Sequence, residues 1–180
     1  GNYSATGVEV SATPTPIVPR PAEQAGTTTT TLTINKPTGT VQNDVMIASI
    51  GFRINSPGQY STDVGITPPA GWTLVGPNGR LDNAGPTGSG LVVYHKVAGA
   101  SEPASYTWTF SCTATCITLG FSAAAGGIVS FSGVDTTTPI NVESKNDTAL
   151  AGYSILTPNV STTVANAMLK TPSGNSTNRS

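Results

Sequence analysis

Ser105-Tyr106-Thr107-Trp108-Thr109-Phe110-Ser111 alternates without a break, with aromatic rings at every second position and hydroxyl residues between them. A period of two puts the rings on one face of an extended chain and the hydroxyls on the other. The stretch therefore reads as a β-strand with one buried and one wet face. Working outward, the pattern recurs. Towards the C-terminus, Ile117, Leu119 and Phe121 repeat it, and residues 128–134 and 141–144 follow as strands. Towards the N-terminus, residues 91–97, 72–75, 44–52 and 28–34 have strand length. Met46, Ala48, Ile50 and Phe52 share one side of their strand, as do Leu32 and Ile34 of theirs. Lys36-Pro37-Thr38-Gly39 and Pro68-Pro69-Ala70-Gly71 supply turns, and residues 77–90 form a long Gly- and Pro-containing loop. No helical periodicity of useful length is present. Eight to ten short strands predict an all-β protein, a two-sheet β-sandwich of jelly-roll or immunoglobulin-like type.

Composition agrees with that reading and excludes several classes of function. The 180 residues carry 9% charged side chains and a formal net charge of −1, against about 25% charged in an ordinary globular protein. Eight scattered Lys and Arg make no basic stripe for phosphate contacts, so no nucleic-acid partner is expected. No apolar run approaches the roughly 18 residues that span a bilayer. The place of charge is taken by 29 Thr, 18 Ser, 20 Gly and 14 Pro. Thr suits strands, and the others suit turns.

The length predicts a single sandwich domain over residues 27–180, preceded by an N-terminal arm and Pro-rich spacer over residues 1–26. Residues 3–12 alternate well enough to form a strand, and residues 13–21 follow as a stiff polyproline-like spacer. A strand on a spacer can reach another molecule, with Tyr3, Val8 and Val10 as plugging residues. The initial Gly1 suggests a processed chain. An internal echo links residues 40–47 with residues 163–169, allowing one deletion, and hints at a half-repeat whose second copy stops short.

Chemistry for turnover is sparse, so no catalytic residue is assigned and the chain is not read as an enzyme. His95 is the only histidine, sits among strand residues, and has no Gly-x-Ser-x-Gly elbow to serve. The nine carboxylates are scattered. Glu143, Asn146 and Asp147, or Asp82 and Asn83, offer oxygens to calcium without EF-hand-like spacing, and no other cofactor is expected. Lys36 or Lys96, with an Asn and with Asp44 or Glu102, would supply the pieces of an intramolecular isopeptide bond. Cys112 and Cys116 are read as a disulfide across a short turn, with two buried free thiols as the alternative. Tyr60 and Trp72 are the candidate ligand surface, since an outward ring can stack on a sugar, whereas Trp108 belongs to the core.

The runs at residues 66–75, 93–108 and 131–135 together resemble a β-rich module that recurs in bacterial secreted and surface proteins and in phage tail-fibre-like proteins. The resemblance spans roughly residues 27–145 and departs from the usual pattern after Leu169. It implies a structural or adhesive module and supplies no catalytic residues. The expectation is a structural subunit of an extracellular filament, pilus-like fibre or virion fibre. It would be located at the cell surface or on a virion and would assemble with copies of itself by β-strand addition. The rival expectation is a carbohydrate- or receptor-binding adhesin module that recognises a cell-surface glycan.

Overall fold

In the structure, a computed structural model, the described residues are 15–54, 61–77, 79–82, 89–112, 121–145, 159–164, 167–168 and 170. Their alternating sequences form ten strands: β1 (Val18–Pro19), β2 (Glu23–Thr27), β3 (Thr31–Asn35), β4 (Val45–Ile54), β5 (Val64–Thr67), β6 (Thr73–Leu74), β7 (Arg80–Asp82), β8 (Ser89–Val97), β9 (Ser105–Cys112) and β10 (Phe121–Ser132). A single 3-10 turn at Ser61–Asp63 leads into β5, and no α-helix occurs among the described residues.

Two antiparallel sheets pack together as the β-sandwich that the alternation predicts. The larger has seven strands. β10, β4 and β8 lie side by side at its centre; β1 and β2 both pair with the free side of β10, and β6 and β7 with the free side of β8. The smaller sheet has β9 in the middle, with β3 and β5 on either side.

The core lies between the sheets. Trp108, Leu32, Ile34, Met46, Ala48, Ile50 and Ile128 are wholly buried there. Trp72 stands edge-on to both Tyr106 and Trp108, with ring centroids 5.1 and 5.3 Å apart, a preferred arrangement of aromatic quadrupoles. Gly126 lets β10 lie close to β4 on this inner side. A Cβ there would stand 2.8 Å from the Ser49 carbonyl oxygen and 2.9 Å from Ile50 Cγ1.

The outward face of the smaller sheet is formed by hydroxyls and small residues. Thr31, Thr109 and Thr67 stand in one cross-strand row, and Thr33 and Thr107 in the next, their hydroxyls hydrogen-bonded at 2.8 Å. The outward face of the larger sheet differs. Val45, Ile47 and Phe131 form a second, smaller apolar cluster there, covered by Ile17, Val134 and Ile140.

Three expectations need correction. Residues 141–144 form no strand, because this segment crosses a covered sheet face where no strand edge is available to it. The Asn141 side chain bonds the main chain and hydroxyl of Thr163 instead, at 3.0 and 2.8 Å. The loop over residues 77–90 contains β7. Of the arm expected over residues 1–26, the spacer at residues 13–21 contains β1, and the residues after it supply most of β2. Proline is accommodated in β1 because an edge strand has one side free of ladder bonds. The echo does not place equivalent residues alike: Met46 is wholly buried, whereas Met168 is 44% exposed.

Candidate functional site

The assembly expected of this chain needs a fixed root for the N-terminal segment and an edge to receive a strand. Tyr3, Val8 and Val10 lie outside the described residues. Their root does not. Ile17 packs into the outer apolar cluster, the Arg20 N–H donates to the Ser130 carbonyl at 2.8 Å, and the Arg20 guanidinium grips Asp44 in a two-point ion pair. Asp44 opens the approach to β4, and its side chain is 4% exposed. Burial alone would raise its pKa. The Arg20 guanidinium, the Val41 N–H and the Ser130 hydroxyl outweigh that and hold the carboxyl below the ordinary value. At the exit from β10, Gly133 has φ +79° and no room for a side chain, because a Cβ would meet the Pro16 carbonyl oxygen at 2.4 Å.

The edges are unequal. On the smaller sheet, β5 has four residues and is followed by Pro68 and Pro69. Arg80 reaches across from β7 to donate to the Val64 and Ser61 carbonyls at 3.0 and 2.7 Å, while Asp82 orients its guanidinium from 2.9 Å. Arg80 thus ties the two sheets together on that side and occupies part of the β5 edge. β3 has five residues and contains no proline.

No aromatic ligand surface is assembled among the described residues. Trp72 is 5% exposed and belongs to the core, so its expected role as a sugar platform is corrected; Pro69 and Gly71 turn the chain so that the ring points between the sheets. Tyr94, Tyr106 and Trp108 are buried as well. Tyr60 lies outside the described residues.

Titratable groups form structural pairs. The Glu102 carboxylate accepts hydrogen bonds from the Gly99 N–H and the Tyr106 hydroxyl, both at 2.7 Å, and pairs with Lys96 Nζ at 2.9 Å. Burial opposes its ionisation, and these three donors overcome burial and lower its pKa. Tyr106 moves the opposite way, its pKa raised by burial and by the bond to Glu102. The isopeptide pieces are thus separated into two ion pairs, Lys96 with Glu102 and Arg20 with Asp44. His95 projects from β8 beside a shallow cavity of about 360 Å³ shared with Gly76, Pro139 and Glu143. Its Nδ1 is buried without a hydrogen-bond partner among the described residues, and burial lowers its pKa. Of the residues offered to calcium, Asp82 is paired with Arg80, and Asn83, Asn146 and Asp147 lie outside the described residues. No cluster of three metal-ligating side chains occurs among the described residues.

Cys112 is disulfide-bonded. The only other cysteine of the chain, Cys116, lies outside the described residues. No helix among the described residues is long and apolar enough to cross a membrane. The Arg20–Asp44 and Arg80–Val64 contacts were not foreseen in the sequence, because single charges far apart along the chain carry no periodic signal. The hydroxyl face had a signal, in the Thr-x-Thr spacings of Thr31 and Thr33 and of Thr107 and Thr109. No protein family, curated protein or solved structure matches this chain.

Proposed function

We propose that the chain is a structural subunit of an extracellular filament, a pilus-like or virion fibre, linked by addition of its N-terminal strand to the sheet of the next copy. The observation that carries this reading is the smaller sheet, whose outer strands β3 and β5 have no further strand partner among the described residues, beside an N-terminal root fixed by Arg20 and Asp44. Unpaired strand edges template pairing with another chain, and head-to-tail contacts that do not close on themselves make fibres. The disulfide at Cys112 supports an oxidising location. Scarce charge supports self-association, since like-charge repulsion between copies is weak. The glycan-binding alternative loses its Trp72 platform to the core.

Electron microscopy of the purified chain and of a truncation lacking residues 1–14 tests the reading. The cut falls before Ile17, Val18 and Arg20, so β1 and the Asp44 pair are kept. Fibres from the full chain and none from the truncation are expected; equal assembly by both would overturn the proposal.

A further inference from the structure

Resting on the filament reading, we infer that the open edge of β3 is the acceptor site and that residues 3–12 of a second copy are its occupant.

The main chain of β3 has its free groups in the right places. Beyond its two ends the β3–β9 ladder continues through the Phe110 N–H to the Thr30 carbonyl and the Lys36 N–H to the Ala104 carbonyl, both at 2.8 Å. In an antiparallel pair the bonded residues alternate, so Leu32 and Ile34 face β9 with both main-chain groups. Thr31, Thr33 and Asn35 therefore turn theirs outward. The Thr29 hydroxyl sits on the outward groups of Thr31 at 3.3 and 3.5 Å. Thr33 and Asn35 keep two N–H and two C=O groups without a partner among the described residues, enough to start a new ladder.

Most competing edges are blunted. Arg80 occupies the Val64 carbonyl on β5, Pro19 interrupts β1, Pro21 stands just before β2 on the same side of β10, and β6 and β7 have two and three residues. Such devices protect natural sheets from unwanted pairing.

The interior-facing side chains of the neighbouring β2 are also incompletely packed. β2 pairs Glu23 with Ile128, Ala25 with Gly126 and Thr27 with Ala124, which turns Glu23, Ala25 and Thr27 towards the interior. All three are only half-buried, whereas Leu32 and Ile34 of β3 are wholly buried. In a strand added to β3, side chains two apart, Val8 and Val10, would turn towards the half-buried Ala25. Tyr3, an odd number of residues from both valines, would turn to the other face.

The occupant is assigned to a second copy because the root resists reversal. Fourteen residues span at most about 45–50 Å when extended, and Pro14 and Pro16 stiffen the stretch next to the fixed root, through which a fold-back would have to turn.

Three full-length chains test this: wild type, Val8→Asp/Val10→Asp, and Thr33→Pro, which removes an outward N–H from an edge strand where proline is tolerated. Fibre yield is read by electron microscopy, and amide hydrogen exchange of Thr33 and Asn35 is read in wild-type fibres and monomers. Loss of fibres in both variants, with exchange of the two amides at least tenfold slower in fibres, is the expected result. If the aspartate variant loses fibres but Thr33→Pro keeps them, the acceptor is another edge and the inference falls while the filament reading stands. Wild-type fibres in which the two amides exchange as fast as in monomers would likewise overturn the inference and leave the filament reading standing, without relying on the folding of any variant. If the aspartate variant assembles as wild type does, or wild type stays monomeric, the filament reading itself falls.

Discussion

The Tyr106 hydroxyl donates to the Glu102 carboxylate at 2.7 Å, joining the most aromatic strand of the core to the turn between β8 and β9. The same carboxylate holds Lys96 and the Gly99 N–H, so one buried anion fixes a strand end, a turn and a ring. Hydrogen bonds to charged groups contribute about 1.5–3 kcal/mol. Tyr106→Phe should therefore lower unfolding stability by that amount with little change in the denaturant slope. Chemical denaturation monitored by Trp fluorescence checks it, and a stability within about 0.5 kcal/mol of wild type would contradict the assigned bond.

Acid should destabilise the fold in two stages. His95 has a lowered pKa, so below about 6.5 the unfolded chain binds a proton that the folded chain refuses, and stability begins to decline. Asp44 and Glu102 are also held below their ordinary values. Their contribution is complete above about pH 4 and is lost as the pH falls through the folded-state values. Denaturation midpoints measured from pH 8 to pH 3 should fall gently first and steeply last; a midpoint that rises on acidification would refute the assignment.

Trp72→Ala tests whether the ring is core or contact surface. The ring lies against Tyr106 and Trp108, and loss of a buried aromatic costs about 3–5 kcal/mol. The variant should melt well below wild type. An unchanged melting temperature would return Trp72 to the surface.

Two glycines on neighbouring strands should respond differently to alanine. At Gly126 the new methyl would meet the Ser49 carbonyl oxygen at 2.8 Å, so Gly126→Ala should cost about 1–3 kcal/mol. At Gly51 the nearest atoms are 3.9 and 4.0 Å away, ordinary contact distances. Gly51→Ala should stay within about 0.5 kcal/mol of wild type. Parallel thermal melts decide the comparison.

The sandwich was legible in the sequence wherever one strand face is buried and the other wet. Tyr106, Trp108 and Phe110 are buried between exposed Thr107 and Thr109, as their alternation requires. Legibility ended where a residue's fate depends on distant partners. Trp72 follows a turn that could equally have presented the ring to solvent, and its burial is decided by Tyr106 and Trp108. Residues 141–144 alternate weakly, yet no strand edge awaits them. That β3 lies at an edge follows from the order of strands in the sheet, to which a local pattern such as Leu32 and Ile34 is blind. The root of the N-terminal segment depends on Arg20 meeting Asp44 across a separation that no periodicity encodes.

The grip of Arg20 on Asp44 takes on a mechanical meaning once the N-terminal segment is pulled. Tension applied at Thr15 enters the body through Val18 and Pro19, whose short pairing with β10 peels from one end, one bond at a time. The ion pair comes next, where the load must break two hydrogen bonds to a buried carboxylate together before it reaches β2. β1 would act as a fuse and Arg20 as the stop behind it, giving slack under strain while the sandwich stays intact.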